Sequence, residues 1–318
     1  MSLDSFRYNP TQSRDSVIAN TPYQTDYITF NAGGLKIKNF NLEKYKKDSA
    51  LIAEAVDITN PVVTIYRDKL PPFLSGIIKP LPVDMIKSIV LPVSIRNINL
   101  IDGQVNYIER NAKTRAEGNI LLSHINGKIA NIKNRNIEKN DSLELSITSY
   151  LMDSALISLK VKESYIDSLS GFLMTLRMKP TSLTFLNPMI APLSNVKIVS
   201  GSVDSFLLRA IGHEELAFGE INMHYHNLRI KLFKNAELDQ STFSTKIASF
   251  LANSFLIRKH NNDKPGVVYF ERLKDRSFFN YIVKMTFSGM AASIGVKRNK
   301  KYINEYNRQL KLKNLPPI

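Results

Sequence analysis

The sequence predicts a mainly β protein with its helices gathered at the C-terminal end. Three observations carry that expectation. Apolar and polar residues alternate over most of the first 235 residues, the signature of strands with one dry and one wet face. Pairs with turn chemistry, Asp102-Gly103, Asn126-Gly127 and Ser200-Gly201, punctuate the alternation. Beyond residue 240 the apolar spacing lengthens from two to three or four, which is helical.

In chain order, residues 1–24 form a polar segment without the apolar run of a secretion signal. A fragment whose export signal or anchor has been removed and a leaderless protein are both compatible with that start. Strand-like sequence begins at Tyr27-Ile28-Thr29-Phe30 and continues through a β region over 25–235. Leu143, Leu145 and Ile147, then Ile157, Leu159 and Val161, then Ile221, Met223 and Tyr225 each alternate with polar neighbours. Such strands suit an antiparallel sheet wetted on one side. Gly103, Gly127 and Gly201 are expected at turns. Ile98–Asn106 (INLIDGQVN) and Val196–Asp204 (VKIVSGSVD) share a pattern, and each follows a Pro-punctuated apolar run. They predict two related units, about 71–130 and 180–235, each an apolar segment followed by a hairpin.

The period changes around Arg258–Pro265, a polar boundary loop. Ser241–Ile257 has helical spacing, Val267–Phe270 reads as a short strand, and Asp275 or Ser277 can cap a helix that Gly295 ends. Residues 236–300 are thus a helical region and 301–318 a basic helix or tail.

The 318 residues carry a net charge of +15 and no cysteine, which removes disulfides, thiolate nucleophiles and Cys-based zinc sites. From Arg258 onward there are 14 Lys/Arg against 4 Asp/Glu, so the positive field sits at the C-terminal end and suits anionic lipid or nucleic acid. Candidate chemistry is sparse. His224 and His226 share a strand face with Glu220 but lack a further ligand, so no metal is expected. There is no Gly-x-Ser-x-Gly elbow, His213 beside Glu214 and Glu215 reads as a hairpin turn, and neither Gly127-Lys128 nor Gly33-Gly34 completes a phosphate or dinucleotide loop. No catalytic residue and no cofactor are expected. Tyr269, Phe270, Arg272, Lys274 and Arg276 interleave rings and charge, yet the C-terminal aromatics concentrate inside an apolar stretch, which argues against base stacking.

That stretch is Arg276–Arg298. Phe278–Val296 would be ~28 Å as an α-helix, close to the hydrocarbon thickness of a bilayer. Lys284, Asn280, Thr286 and Ser288 dilute it. The expectation is an interfacial helix, with Phe278, Phe279, Ile282 and Met285 entering a bilayer and Arg276, Lys284, Lys297 and Arg298 on headgroups. A core helix against the sheet and a true span are the alternatives.

Asn60-Pro61 with Ile65-Tyr66-Arg67, Asp102–Glu109, Ser200–Val203, Phe218-Gly219 with Tyr225 and Leu228, Gly266–Arg272 and Arg276–Tyr281 appear in an order and spacing that resembles the AsmA/TamB-like envelope proteins, over about residues 25–300. The resemblance implies a long curved antiparallel sheet, a β-taco, whose apolar inner face shelters acyl chains. On that basis Leu143, Leu145, Ile147, Ile157, Leu159, Ile221 and Met223 line a groove. The implied function is non-enzymatic lipid binding or transfer in the bacterial envelope. The implied partners are phospholipid acyl chains, an anionic membrane surface and other envelope proteins, at a membrane-associated periplasmic location. The chain departs from the family in showing no anchor and in its short length. A structural scaffold with a filled groove is the main alternative, and a nucleic-acid-binding protein the lesser one.

Overall fold

The computed structural model describes residues 1–167, 169, 171–194, 196–232, 257–312, 315 and 317–318. The helix expected over Ser241–Ile257 lies outside the described residues except for its last position. Among the described residues, fifteen strands form one long, curved, unclosed sheet that is mostly antiparallel. The long hairpin β7 (Val93–Arg110) and β8 (Glu117–Lys133) is followed by β9 (Ser142–Leu151), β10 (Ala155–Ser164) and β11 (Phe172–Met178). The short β12 (Thr181–Ser182) and a second long hairpin follow, β13 (Val196–Gly212) and β14 (Leu216–Leu232), of which β13 pairs with β12 and β14 with β15 (Gly266–Glu271).

The N-terminal flank departs from a simple meander. β5 (Leu51–Thr59) and β6 (Val62–Asp68) run end to end along β7, both parallel to it, interrupted by Asn60-Pro61. β3 (Asp26–Ala32) pairs with β6, and β4 (Gly34–Lys38) with β5, interrupted by Gly33. Proline has no N–H to donate, so Pro61 divides what would otherwise be one strand. The expected polar N-terminal segment is instead drawn into the sheet: β1 (Ser2–Leu3) pairs with β4, and β2 (Phe6–Tyr8) with β3. Helix α1 (Arg14–Asn20) brings the Arg14 guanidinium over the Tyr66 ring.

Gly103, Gly127 and Gly201 are not at turns. Each lies inside a long strand, at or beside a bulge where the register shifts. The same residue chemistry serves both features, because a bulge also needs left-handed backbone or close approach. Asp102 has φ +52 and Gly201 φ +142. At Gly127 a Cβ would strike the Ser146 carbonyl of β9. Asn60 (φ +46), Asp102 and His124 (φ +48) mark a crease across adjacent strands. Bulges increase twist and bend a strand, so this crease contributes to the curvature.

Each of the two long hairpins follows a Pro-punctuated segment with short helices. The first hairpin follows a Pro-rich segment containing helix α3 (Pro82–Lys87). The second follows a 3-10 turn (Leu183–Leu186) and helix α4 (Asn187–Ser194). Between them, helix α2 (Leu42–Asp48) and these short helices leave the sheet as the main scaffold.

Helix α5 (Phe278–Ser293) begins at Ser277, whose hydroxyl accepts from the Asn280 N–H, and ends before Gly295 at φ +87. It packs on β14 and β15. Met285 and Tyr281 are buried, Phe278 meets Phe172 edge-on at 5.1 Å, and Gly289 fits against Ile221 and Val268. Burial of side chains as large as Met285 and Tyr281 contributes about 1.5–3 kcal/mol each. Helix α6 (Asn299–Leu312) follows, and its Tyr302 stacks on Tyr269 of β15. Among the described residues, no helix is long and apolar enough to cross a membrane, so the spanning alternative for 276–298 is overturned.

Candidate functional site

Residues opposite one another in a ladder share a face. Following the register from edge to edge traces one apolar row. It runs from Ile58 through Leu100 to Gly127, then Ile147, Leu159, Leu176, Leu208 and Ile221. A parallel row runs through Val56, Ile98, Ile129, Leu145, Val161, Met174 and Ala210. The opposite face carries Asp57, Asn99, Lys128, Ser146, Lys160, Thr175, Arg209 and Glu220 in the same ladders. The alternation in the sequence therefore does make a single apolar inner face.

That face is covered unevenly. Over β11–β15 it is filled: Leu208, Ile221, Met223 and Tyr225 are fully buried beneath the 3-10 turn and α5. Ile221 and Met223, expected in the groove lining, are thus core residues under the helix. Leu143 is also buried, in a second cluster with Val83, Val93, Ile132 and Tyr165 beneath α3. Between these plugs the same face is only half-covered. Leu145, Ile147, Ile157 and Leu159, also expected in the lining, are half-buried, as are Val56, Ile58, Ile98 and Leu100. Past the crease, half-buried Phe30, Val63, Val105 and Leu122 lie opposite one another and reach Leu151. We call this stretch the lane.

The lane ends in charge. Two ladder positions beyond Phe30–Val63–Val105 stand Ile28, Ile65 and Tyr107, and two further Asp26, Arg67 and Glu109. Arg67 Nε donates to Asp26 at 2.6 Å, and Lys69 Nζ to Glu109 at 2.6 Å. The Tyr107 hydroxyl donates to the other Glu109 oxygen at 2.8 Å. Curvature brings α5 across from the opposite flank. Lys284 feels Lys69, Glu109 and Arg276, and Arg276 feels Asp275, Arg67, Glu109 and Tyr107. Burial, reinforced by Lys69, pulls the Lys284 ammonium down to about 8. Burial likewise raises the Tyr107 hydroxyl, with Glu109 adding to the effect.

A strap links the two flanks. After Lys69 the chain crosses without regular structure to α3. Phe73 lies beneath the Arg276 guanidinium at 3.2 Å, and the Lys79 N–H donates to the Lys274 carbonyl at 2.8 Å. Arg272, buried and paired with Glu214, donates to the Lys79 carbonyl. Leu81 is fully buried, and the Val83 N–H donates to Glu163 at 3.2 Å. Glu163 is itself buried, which pushes its carboxyl up to about 7. The strap also exposes Leu70, Leu74, Ile77, Ile78, Met85 and Val90.

The expected membrane contacts are scattered by the fold. Met285 has no exposed surface, Phe278 packs on Phe172, and Ile282 packs against the core, so these three do not present a lipid-facing stripe. An apolar helix face looks the same in sequence whether a sheet or a bilayer covers it. Phe279 is 41% exposed and Arg298 is exposed. Arg276 and Lys284 join the charged cluster, and Lys297 Nζ donates to Ser288 Oγ at 3.1 Å. That last contact resembles an activated serine. Ser288, however, is fully buried, donates to the Tyr269 carbonyl at 2.6 Å and accepts from Asn299 at 2.9 Å, which ties α5, β15 and α6 together.

The remaining candidates resolve similarly. His226 Nδ1 is 2.9 Å from Asp204, and His224 is exposed beside it on the outer face. Among the described residues no group of three or more His, Asp or Glu could hold a metal ion. Tyr269 and Arg272 are buried, so the interleaved rings and cations of β15 do not form an open stacking platform. A depression of about 320 Å³ is lined by Lys139, Asp141, Lys162 and His213 together with the apolar Phe172, Leu173 and Ile211. The signal that sequence reading missed is the charged cluster. Asp26, Arg67, Glu109 and Lys284 are far apart in the chain, and only the curl of the sheet assembles them. Comparison with family models, with curated proteins and with solved structures found no match to this chain.

Proposed function

We propose that this protein binds lipid acyl chains along the lane and serves non-enzymatic lipid binding or transfer in a bacterial envelope. The observation that carries this reading is the uneven cover of one continuous apolar face, which helices fill over β11–β15 and, beneath α3, at one end of β7–β9, and leave half-covered between those plugs. An apolar strip of that kind is stabilised by covering it, at about 25 cal/mol per Å² removed from water. Straight alkyl chains fit a strip that crosses many strands, because every strand contributes an apolar residue at the same level. The resemblance to the AsmA/TamB-like proteins supports the envelope setting and the phospholipid as partner.

A second reading is a scaffold whose inner face is finished by its own side chains, and the burial of Ile221 and Met223 beneath α5 favours it. Purification in mild detergent followed by solvent extraction and mass spectrometry separates the two. Co-purifying phospholipid near one molecule per chain is the expected result. Lipid-free protein that also fails to take up lipid from vesicles would favour the scaffold.

A further inference from the structure

The turn between α3 and β7 presents apolar side chains to solvent from a fixed frame. Ile89, Val90 and Leu91 are consecutive aliphatic residues, all exposed, and Val90 is 86% exposed. Their backbone is held from the protein side. Asn134, itself buried, donates through its amide to the Ile89 and Leu91 carbonyls, each at 2.8 Å, and accepts from the Val93 N–H at 2.8 Å. Arg135 Nη2 donates to the Val90 carbonyl at 3.3 Å. Three successive carbonyls are thus satisfied while the side chains between them are left uncovered.

This tip belongs to one end of the sheet. β7 starts where β8 ends, with Ser94 opposite Lys133, and β9 starts where β10 ends, with Ser142 opposite Ser164. Val93 and Tyr165, at two of these strand ends, share a buried cluster with Val83 of α3, so the tip and the turn after β10 lie over the same core. That end also exposes Met85, Ile166 and Leu169. At the opposite strand ends, the turns 111–116 and 152–154 expose no large hydrophobic side chain. Apolar exposure concentrated at one end marks a contact surface.

We propose that this end of the sheet docks on an anionic bilayer surface, with the Ile89–Leu91 tip entering the interface. Three features select a bilayer as the occupant. The tip is too small to bury the ~800 Å² that each side of a standard protein interface covers, whereas a bilayer accepts a few protruding side chains. Its capped carbonyls bring no unmet acceptor into an apolar medium. The exposed charges on the turns of this end are Lys87, Arg135 and Lys139 against Glu138, while Asp84, Asp141 and Asp167 are half-buried, a balance complementary to lipid phosphates. The proposal stands apart from the lane, because a bilayer holds the tip whether or not an acyl chain leaves it.

The test measures co-sedimentation of the full chain with vesicles of equal parts phosphatidylglycerol and phosphatidylcholine. Val90→Asn removes the most exposed aliphatic side chain without changing charge and should weaken binding about tenfold. Ala112→Asn, on the opposite turn, should bind as the wild type does. Both positions are exposed, so neither variant should move the denaturation midpoint. Lys87→Gln with Lys139→Gln should also weaken binding about tenfold, through lost attraction to the anionic headgroups. Val90→Trp gives a lone fluorophore at the tip, since the chain has no tryptophan. Its emission should shift to the blue on vesicles, and that of Ala112→Trp should not. A wild type that does not sediment with vesicles, a Val90→Asn variant that binds as tightly as the wild type, or an unshifted Val90→Trp spectrum overturns the proposal. A dimer that Val90→Asn dissociates and vesicles do not compete would assign the tip to a second copy and overturn it too. Vesicle binding is read without removing lipid from the bilayer. Protein that carries no lipid yet sediments in a Val90-dependent way would therefore refute the lane and support the docking end.

Discussion

Gly289 of α5 lies so close to Ile221 of β14 that a Cβ on the glycine would stand 3.0 Å from the isoleucine Cγ2 and 2.9 Å from Val268 Cγ2. This contact decides the role of the greasiest segment in the chain. The helix is pressed on the sheet through a glycine, and it fills one half of a face whose other half stays half-covered. Replacing Gly289 by leucine should destabilise the protein by about 1–3 kcal/mol through overpacking, read as a lowered denaturation midpoint. An unchanged midpoint would mean that the helix is not seated there.

Two adjacent rings separate a core helix from an interfacial one. Phe278 packs edge-on against Phe172, whereas Phe279 is 41% exposed. Phe278→Ala should cost about 3 kcal/mol in unfolding free energy, near the low end for buried phenylalanine because Phe278 is only half-buried. Phe279→Ala should stay within about 0.5 kcal/mol of the wild type. Chemical denaturation of both variants checks the difference, and equal effects would contradict the packing.

Glu163 holds the strap helix through the Val83 N–H from a buried position, and its carboxyl is raised to about 7. The unfolded chain loses this proton near the ordinary carboxylate value of 4.5, while the folded chain keeps it to about 7. Stability should therefore fall as pH rises through that window and level off above it, by an amount on the order of 3 kcal/mol at most. Glu163→Gln can still accept from Val83 and should flatten this part of the profile. Thermal melts between pH 4.5 and pH 8 measure it, and an identical slope in the variant would assign the pH dependence elsewhere.

Much of this architecture is legible in the sequence. Ile221, Met223 and Tyr225 alternate with polar neighbours, and all three point into the core. Ser277 and Gly295 bound α5 as their cap chemistry suggests. What was not legible follows from physical degeneracy. A left-handed residue before or at a glycine serves a bulge as well as a turn, so Gly103 and Gly201 gave no sign that their strands continue past them. The split of one strand at Pro61, and its parallel alignment with β7, depends on a ladder partner dozens of residues away. The cover on the inner face is likewise a tertiary fact, because Ile147 and Ile221 read alike in their strands and differ only in what lies above them.

The crease offers a further check on how the sheet gains its curve. Asp102, at φ +52, also meets His124 Nδ1 at 2.8 Å across the bulge. Asp102→Gly should keep the backbone geometry and change stability little, whereas Asp102→Val should cost about 1–3 kcal/mol, because a β-branched residue resists a left-handed conformation. Denaturation midpoints of the pair give the comparison, and equal midpoints would remove the strain argument.

The chain contains no tryptophan, so a single introduced one reports only on its own site. The most direct test of the lane is quenching of tryptophan fluorescence by a lipid brominated in its acyl chain. The comparison is between Ile147→Trp on the inner face and Thr148→Trp on the outer face of the same strand. Lipid in the lane should quench the first strongly and leave the second near its unbrominated value. Equal quenching at both positions, or none at Ile147→Trp, would contradict it.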